Sequence, residues 1–536
     1  MSAPTKIRTA THRPAVRRRR FRHDDLIAVD LFSGFGGLTK GIEMAGFTTI
    51  MAANHNAYKV DVHEANHPNA EHWIADLVDP EAADYHSAAD LPAADLLVAG
   101  ISCVNHSQAN TQKAYEQGWT LFGVEDPEFD ERVTRSERDR ATANCVLAYV
   151  RKHHPRLVLL ECTTELTSWG PALPGRSKIG DGSTYRYWLS RFDIEGYDHK
   201  VLYLNSQFFG VPQSRDRYYL ALWDRRLPAP DLEHRPLTHC TACDDDVEAV
   251  WSWKTGIPPS GTVRYGTQYN YRCPRCRREV TPPMTPSLHA LDLTNLGTRI
   301  GDRKKPLKPA TMARIERCRD RFAQFPAILL PAKSIHGSER HPWQPMATQT
   351  SQQETALLCT GSVTVAHRHN GDGKHLIEPM DTATSTHEKA LLFAAVDNYQ
   401  GAPRTLAAPL PTTLASETLA LMAGVVPFRK NTTPTVGAEP MPTVTSEQIP
   451  GLLTTEWVPA LADLPVEDCY FRMLGPHEVG RGCGFDTTFP GHQGEFIVWG
   501  SARDQCDGFG NAVSPSVGTW IGTRLRAILH ATEAIA

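Results

Sequence analysis

Cys103 and Glu161 are the residues of this chain whose surroundings most clearly favour chemistry. Each follows a short apolar run, residues 96–99 before Cys103 and residues 157–160 before Glu161, and such runs predict buried parallel strands. Open α/β sheets bind ligands at the carboxyl ends of their strands. There a thiol could serve as a nucleophile and a carboxylate could do proton work or grip the donor edge of a base. The alternatives are a buried filler cysteine and a solvated glutamate.

An alternating pair of arginines follows later in the chain. Arg215 and Arg217 stand in the segment Gln-Ser-Arg-Asp-Arg and lead into a predicted strand over residues 218–223. Side chains two residues apart on a strand point to the same face, so both guanidinium groups could grip carbonyl or phosphate oxygens together. A solvated strand edge is the alternative interpretation.

A glycine-rich turn near the start of the chain indicates a ligand site. A predicted strand over residues 26–32 runs into Ser33-Gly34-Phe35-Gly36-Gly37 and then a helix-like segment, which is the opening unit of a doubly wound nucleotide-binding sheet. The spacing differs from the dinucleotide pattern GxGxxG. The glycines allow a tight turn and a close approach of the backbone to a ligand.

The polar residues after the next two strands are further candidates for contacting a cofactor. The strand over residues 48–53 is followed by Asn54 and His55, where a ribose-binding carboxylate is common in such folds. Asp76 and Leu77 follow the third strand and could contact a cofactor base. A surface-loop aspartate is the alternative.

The stretch after Cys103 is long and polar. Residues 108–140 are too many for a simple connection, and a long loop after a nucleophile is often a mobile active-site lid. The sequence pattern of residues 141–153 predicts an amphipathic helix.

Four cysteines have the spacing of a zinc ribbon. Cys240 and Cys243 form one CxxC pair, and Cys273 and Cys276 form the second. Four thiolates can surround a tetrahedral Zn²⁺ and close its coordination shell, which favours a structural rather than a catalytic metal. The interval between the pairs holds tryptophans and tyrosines suited to short hairpin strands.

A repeated segment occupies much of the second half of the chain. A Pro-x-x-Thr turn recurs at Pro345, Pro379, Pro409 and Pro440, each near an apolar run and basic or amide side chains. Repeated hairpins with such tips could line a DNA surface, with hydroxyls on phosphates and arginine or asparagine on base edges. A purely structural β array is the alternative. The sequence of residues 305–325 predicts a basic helix, and residues 471–474 are predicted to open a short helix-like segment.

Composition limits the class of protein. The 536 residues suggest two or three domains. No apolar run is long enough to span a membrane and no signal peptide is evident, so we expect a soluble intracellular protein with its 12 cysteines reduced. Net charge is −4, yet arginines are concentrated before Asp24 in a basic arm that we expect to be disordered and able to contact phosphates.

The order of these motifs resembles that of the DNA cytosine-5 methyltransferases. The series comprises DLFSGFGG at 30–37, Cys103, Glu161, QSRDR at 213–217 and GNAVSP at 510–515. The resemblance covers roughly residues 26–225 and 467–530. The chain has Ser102-Cys103-Val104 where the family has Pro-Cys-Gln, and Glu161-Cys162-Thr163 where it has Glu-Asn-Val.

The resemblance implies an α/β fold with a discontinuous, Rossmann-like sheet of the S-adenosylmethionine-dependent methyltransferase type. The implied domains are a basic arm (1–25), a first catalytic part (26–230), an inserted zinc ribbon (236–282), a β-rich target-recognition region (283–465) and a returning catalytic segment (466–536).

The resemblance also implies roles for individual residues. Cys103 would be the nucleophile, Glu161 would hold or protonate the ring nitrogen N3 of cytosine, and Arg215 and Arg217 would stabilise the carbonyl oxygen of the base and the catalytic loop. The implied residues at the S-adenosylmethionine site are Asp30, Phe32, Ser33, Gly34, Gly36, Gly37, Asn54, His55, Asp76, Leu77, Asn511 and Val513.

The implied activity is methyl transfer from S-adenosylmethionine to carbon 5 of a flipped-out cytosine in double-stranded DNA, with zinc in the ribbon. The implied setting is a monomer in a prokaryotic or phage-infected cytoplasm, in restriction-modification or its evasion. Two alternatives stay open: transfer of a different group to a DNA pyrimidine, and a DNA-binding relative without turnover.

Overall fold

The computed structural model describes residues 24–101, 130–321, 327–331, 339–360 and 465–533, together with isolated strands between 363 and 453. Within these ranges residues 80, 171, 174–175, 256–260, 293, 343 and 352–353 are excluded. Cys103, most of the basic arm and three of the four Pro-x-x-Thr turns therefore lie outside the described residues.

A seven-stranded mixed sheet forms the centre of the fold, in the order β3-β2-β1-β4-β5-β9-β8. The first five of these strands run parallel, and β9 runs antiparallel to both of its neighbours. The strands are β1 (Ile27–Leu31), β2 (Thr48–Asn54), β3 (Glu71–Ile74), β4 (Leu96–Gly100), β5 (Leu157–Cys162), β8 (Tyr197–Asn205) and β9 (Asp216–Asp224). A two-stranded ribbon, β6 (Ala172–Leu173) and β7 (Arg176–Gly180), precedes β8.

Helices cover both faces of this sheet, as the continuous apolar strands require. The helices of the sheet region are α1 (Gly37–Met44), α2 (Ala57–Asn66), α3 (Asp130–His153), α4 (Ser183–Ile194), α6 (Pro476–Gly482), α7 (Ala502–Asn511) and α8 (Pro515–Glu533). Helices α1 and α8 bury apolar side chains with Ala28 on one face. Helices α3 and α4 bury apolar side chains with Val29 on the other face of the sheet. Ala28 and Val29 lie on different faces because successive strand residues point to opposite sides.

The discontinuous organisation is visible in α8. This helix comes from the end of the chain yet packs beside α1, with Gly41 so close to Pro515 that an added Cβ would lie 2.6 Å from the carbonyl oxygen of Pro515. Glycine therefore permits the close approach of the two helices. No helix in the described part of the chain has the length and apolarity needed to cross a membrane.

The region after β9 forms two small antiparallel sheets. One pairs β10 (Leu237–Cys240) with β11 (Asp245–Glu248), and the other has the order β12 (Val250–Trp253), β13 (Tyr269–Arg272), β14 (Glu279–Val280). We call residues 236–282 the ribbon. Most of its tryptophans and tyrosines lie on β12 and β13, short hairpin strands of the kind that the sequence predicts.

Four strands from distant parts of the chain form another sheet, in the order β15 (Thr298–Arg299), β26 (Tyr470–Met473), β17 (Thr355–Cys359), β16 (Ala327–Pro331). The helix-like segment predicted to open at residues 471–474 begins later. These residues lie mostly in β26, which pairs with β15 and β17, and the helix α6 begins at Pro476. A four-residue apolar segment carries too little periodicity to distinguish helix from strand. Here Phe471 is buried in a cluster with Leu358 and Ile328.

Short strands occur in the rest of the repeat region. They are β18 (Val363–Ala366), β19 (Lys374–His375), β20 (Lys389–Leu392), β21 (Val396–Asn398), β22 (Gly401–Arg404), β23 (Gly424–Val426), β24 (Thr435–Val436) and β25 (Gly451–Leu453). They form separate sheets of two or three strands. The basic helix predicted over 305–325 is confirmed as α5 (Pro309–Arg321).

Residues 108–129 of the stretch predicted as a lid lie outside the described residues, and residues 130–140 differ from the expectation. Helix α3 begins at Asp130, so the last part of the segment that we predicted as a lid, residues 108–140, is helical. The segment 130–140 is rich in arginine and glutamate, residues with good helix propensity, and it continues directly into the apolar part of α3.

Candidate active site

The strands that lead to Cys103 and Glu161 lie side by side. In the parallel pairing of β4 with β5, Gly100 is opposite Glu161, and the backbone N–H of Ile101 donates to the carbonyl oxygen of Glu161 at 3.0 Å. Cys103 follows Ile101 after one intervening residue in the sequence. The described residues therefore show the predicted sheet edge as far as Ile101, two residues before Cys103.

Glu161 forms an ion pair with Arg217. The Nε atom of Arg217 lies 3.1 Å from Oε1 of Glu161, and both side chains are mostly buried. Strand β9 runs antiparallel to β5, which brings the start of β9 to the end of β5. A guanidinium group held against a carboxylate fixes its orientation through charge-assisted hydrogen bonding. The structure thus brings Glu161 and Arg217 together, a contact that the sequence analysis did not predict.

Arg215 makes a different set of contacts from Arg217. Its buried Nη1 donates to the carbonyl oxygens of Gln349 (3.1 Å) and Gly510 (2.8 Å). Gln349 belongs to the first Pro-x-x-Thr unit and Gly510 to the returning segment. Arg215 therefore links three distant parts of the chain close to the edge where Arg217 meets Glu161.

The first repeat unit pairs with the segment that carries the arginines. The N–H of Met346 donates to Pro212, and the N–H of Ser214 donates to the carbonyl oxygen of Met346 at 2.9 Å. The Thr348 hydroxyl also donates to the Ser214 carbonyl at 2.9 Å. The first unit thus lies against the segment that carries Arg215 and Arg217, a contact that the sequence analysis did not predict.

The glycine-rich turn directly follows β1 and has an unusual backbone. Phe32, Gly34 and Gly36 have φ angles of 61°, 55° and 78°, and the N–H of Gly36 donates to the carbonyl oxygen of Ser33 at 2.9 Å. Left-handed backbone is strained for a side chain such as that of Phe32, and strained residues often lie at ligand sites.

The returning segment closes against this turn. A Cβ added to Gly37 would lie 2.0 Å from the carbonyl oxygen of Val513, so only glycine fits there. Val513 is buried, whereas Asn511 is exposed and donates from Nδ2 to Asp507 at 3.0 Å. The two segments proposed to share a cofactor are therefore in contact.

The other predicted cofactor residues lie at the carboxyl ends of β2 and β3. Asn54 is buried and its side chain accepts from the N–H of Asn56 at 2.9 Å, while His55 is exposed. Asp76 is buried and its Oδ1 accepts from the N–H groups of Val78 (2.9 Å) and Asp79 (3.1 Å), next to buried Leu77. These positions surround the same sheet edge as the glycine turn, and they fit a nucleoside cofactor.

A buried polar network lies beneath the turn. The Thr39 hydroxyl donates to Oδ2 of Asp30 at 2.5 Å and lies 3.0 Å from Nε2 of His63, whose Nδ1 is 2.8 Å from His72. Burial raises the pKa of Asp30 to about 7, with Thr39 opposing the shift and Glu43 adding to it. The pKa of His63 is lowered, mainly by burial and to a smaller extent by the neighbouring His67 and His72. Asp30 therefore supports the turn from below, and the sequence did not reveal this network.

The four ribbon cysteines converge as the spacing predicts. Their Sγ atoms all lie within 4.8 Å of one another, and the Cys240–Cys276 and Cys243–Cys273 pairs are 3.6 and 3.8 Å apart. Four sulfurs at tetrahedral Zn–S distances are separated by about 3.8 Å, so the donor set fits Zn²⁺. A hydrogen bond from the N–H of Cys276 contributes most to lowering the pKa of Cys273 to about 6.

Asp216, between the two arginines, was not singled out from the sequence. Its Oδ1 accepts from the N–H of Tyr265 (3.1 Å) and from the hydroxyl of Tyr269 (3.0 Å), both in the ribbon. Burial raises the pKa of Asp216 to about 6, and the hydrogen bonds from the two tyrosines oppose that shift. The only available signal was a carboxylate inside an arginine motif, beside an interval rich in tyrosine.

Comparisons with known proteins agree with this arrangement. The family described as C-5 cytosine-specific DNA methylase matches residues 26–124. The Type II methyltransferase M.NgoBI of Neisseria gonorrhoeae is 26% identical over 278 residues, which cover 45% of this chain and 75% of that protein. The Type II methyltransferase M.NlaX of Neisseria lactamica is 28% identical over 230 residues, covering 41% of this chain and 59% of that protein.

Other relatives are matched over a smaller share of their length. The Type II methyltransferase M.HaeII of Haemophilus aegyptius is 26% identical over 227 residues, covering 41% of this chain and 58% of that protein. Several of these relatives are thus matched over less than two thirds of their length. The matched family segment spans β1 to the residues around Cys103, and these relatives are all Type II methyltransferases. Over residues 26–124 the chain is therefore similar to the C-5 cytosine-specific DNA methylases.

Proposed function

We propose that this chain methylates carbon 5 of cytosine in double-stranded DNA, with Cys103 as the nucleophile and S-adenosylmethionine as the methyl donor. The observation that carries the proposal is the Arg217–Glu161 pair, which stands beside the strand that leads to Cys103. A carboxylate oriented by a guanidinium group, next to a nucleophile, suits the activation of a pyrimidine ring.

The residue types match the chemistry of cytosine. Carbon 5 is a poor nucleophile until a thiolate adds to carbon 6, which makes carbon 5 enamine-like. The Cys103 thiolate would form the S–C6 bond while Glu161 holds or protonates N3. Carbon 5 would then take the methyl group as the donor's sulfur–methyl bond breaks and S-adenosylhomocysteine leaves. A base would remove the proton from carbon 5, and the S–C6 bond would break to release the thiolate. S-adenosylmethionine supplies the electrophilic methyl group.

The arginines have distinct proposed roles in this reaction. Arg217, in contact with Glu161, would also stabilise the carbonyl oxygen of the base. Arg215 would hold the edge together through Gln349 and Gly510. A cytosine stacked in a duplex cannot reach this edge, so the base would be flipped out of the helix.

The cofactor would lie against the glycine turn and the carboxyl ends of β2 and β3. Phe32, Ser33, Gly34, Gly36 and Gly37 would provide the backbone surface. Asn54, His55, Asp76, Leu77, Asn511 and Val513 would form its rim, with Asp30 supporting the turn. This assignment is supported by the close approach of Gly37 to Val513.

The ribbon cysteines Cys240, Cys243, Cys273 and Cys276 would hold a structural Zn²⁺. Their converging sulfurs support this assignment. Four protein ligands leave no open coordination position for a substrate, so the ion would contribute to folding and not to bond making.

Double-stranded DNA is the proposed partner, and the repeat region 283–465 is the proposed reader of its sequence. Residues 1–25 would contact phosphates. We place the protein in the cytoplasm as a monomer. The Type II class of its relatives supports a role in restriction-modification.

Nucleoside mass spectrometry tests the proposed function. DNA incubated with the protein and S-adenosylmethionine should yield 5-methylcytosine, and Cys103→Ser should abolish it while leaving DNA binding in place. A nucleoside bearing another group would redirect the proposal to a different donor. Unmodified DNA with wild-type protein that binds both DNA and S-adenosylmethionine would indicate a binding protein without turnover.

A further inference from the structure

The ribbon is packed directly on the catalytic sheet. Phe208, in the turn after β8, makes edge contacts with Tyr265 and Tyr271, with ring centroids 4.7 and 5.2 Å apart. Tyr203 of β8 contacts Trp253 in the same way at 5.5 Å. These rings share one apolar cluster with Cys240 and Cys273. The proposed metal site and the edge strand of the sheet therefore belong to one packed unit.

Two hydrogen bonds connect this unit to the residue before Arg217. Asp216 accepts from the N–H of Tyr265 and the hydroxyl of Tyr269, both on Oδ1. Arg217 in turn donates from Nη1 to the carbonyl oxygen of Asp216 at 2.8 Å. The ribbon thus fixes both the side chain of Asp216 and the backbone from which the Arg217 side chain extends towards Glu161.

A separate contact connects the ribbon to the end of β5. The N–H of Val263 donates to the Thr164 hydroxyl at 3.1 Å, and Thr164 follows Glu161 closely in the sequence. Gly261, at φ +68°, approaches so near that an added Cβ would lie 3.0 Å from the Cβ atom of Ser168. One segment of the ribbon therefore contacts β9, which carries Arg217, and the turn that directly follows β5, the strand that carries Glu161.

We propose that the ribbon is a brace for the Glu161–Arg217 pair, and that Tyr269 and Asp216 are positioning residues for the reaction. Neither is assigned a contact with the cytosine. The effect reaches the base through Arg217 and Glu161, so the catalytic part of this inference rests on the proposed function. The metal would act at a distance, because Cys273 directly follows β13, the strand that carries Tyr269.

Tyr269 and Tyr271 provide a matched pair of variants. Both side chains are fully buried on β13, and each hydroxyl has one partner of its own: Asp216 for Tyr269 and Nδ1 of His234 for Tyr271, at 2.6 Å. Tyr269→Phe and Tyr271→Phe therefore remove the same atom from the same strand. Only the first variant removes a contact to the arginine segment.

We expect Tyr269→Phe to lower kcat by about tenfold, which corresponds to the loss of one modest interaction in the transition state. The KM values for DNA and S-adenosylmethionine should change little. Tyr271→Phe should keep the kcat of the wild type, and both variants should retain equal amounts of zinc. A general loss of stability would instead lower the activity of both variants together.

A second readout does not depend on turnover. Hydrogen exchange at the Arg217 Nε–H, assigned by its disappearance in Arg217→Lys, reports how firmly the pair is held. Tyr269→Phe should accelerate this exchange relative to Tyr271→Phe. Should either variant fail to fold, Thr164→Val against Thr164→Ser makes the same comparison through the Val263 contact, with faster exchange expected in the valine variant.

The two readouts separate the brace from the reaction. Equal Arg217 exchange in Tyr269→Phe and Tyr271→Phe overturns the brace, whatever the activity. Suppose that exchange is faster in Tyr269→Phe but the wild-type protein methylates no DNA. That combination supports the brace and counts against the proposed function. Faster exchange with an unchanged kcat contradicts the catalytic part of the inference.

Discussion

Arg217 holds Glu161 across the antiparallel junction of β9 and β5, with Nε 3.1 Å from Oε1. The pair is largely buried, where removing one member leaves the other charge uncompensated. The arrangement orients a carboxylate at the end of β5, beside the strand that leads to Cys103. In the proposed reaction this carboxylate meets N3 of the flipped cytosine.

Glu161→Gln should therefore reduce kcat by at least about 100-fold, the range expected for loss of a positioned acid or base. The neutral amide keeps the shape of the side chain but cannot deliver a proton to N3. Steady-state methylation kinetics measure the effect. Glu165→Gln, in the following turn, is the control and should stay near the wild-type rate. Comparable rates for Glu161→Gln and the wild type would remove Glu161 from the mechanism.

Gly37→Ala should weaken binding of S-adenosylmethionine by more than about tenfold. The added Cβ would lie 2.0 Å from the carbonyl oxygen of Val513, so the turn or the returning segment must move. Isothermal titration calorimetry measures the affinity. Gly100→Ala is the control, since a Cβ there meets nothing within 4 Å. Equal affinities for the two variants would place the cofactor elsewhere.

Purified protein should contain one zinc ion per chain, and Cys273→Ser should lose it. A thiolate set with one ligand removed no longer completes the tetrahedral site. Metal analysis by mass spectrometry gives the stoichiometry. Cys318→Ser, which replaces a buried cysteine outside the ribbon, should retain the full zinc content. Retention of a full complement by Cys273→Ser would argue against the four-cysteine site.

The pH dependence of stability should carry a contribution from Asp216. Burial raises the pKa of this carboxyl to about 6 in the folded protein, above its unfolded value near about 4. The folded state therefore binds the proton more tightly. The stabilising contribution is complete below about pH 4 and is lost as pH rises through about 6, amounting to at most about 3 kcal/mol.

Chemical denaturation of the wild type and Asp216→Asn across this pH range isolates that contribution. The free energy of unfolding of the wild type, minus that of the variant, should decrease as pH rises. Subtraction cancels the other titrating groups, including Arg217, Tyr265 and Tyr269 near the carboxyl. A difference that increases with pH would mean that the carboxylate form is the favoured one in the fold.

The strand ends could be predicted from the sequence because their signals are local. Short apolar runs bounded by glycine or polar residues indicate buried strands, and parallel strands bring their carboxyl ends to one edge. This reasoning places Glu161 correctly, and the paired CxxC spacing places the four cysteines together. The convergence of the four sulfurs could be predicted without knowledge of the rest of the fold.

The different contacts of Arg215 and Arg217 could not be predicted in this way. Alternation places Arg215 and Arg217 on one face, but distant carbonyls of Gln349 and Gly510 take up Arg215. The contact of Asp216 with Tyr269 likewise joins residues far apart in the sequence. Such partners depend on tertiary packing, for which a single sequence carries no periodic signal. Residues 471–474 were predicted to open a helix and instead lie mostly in a strand, for the related reason that their strand partners are equally distant in the sequence.

Covalent trapping tests the central claim most directly. Duplex DNA that carries 5-fluorocytosine at the target base cannot lose the substituent on carbon 5 as a proton, so elimination of the thiolate is blocked after methyl transfer. With S-adenosylmethionine, the wild type should form a denaturant-stable protein–DNA adduct, and peptide mass spectrometry should locate it at Cys103. Failure of a cofactor-binding, DNA-binding wild type to form the adduct, or an adduct that persists in Cys103→Ser, would contradict cytosine-5 methylation through this thiol.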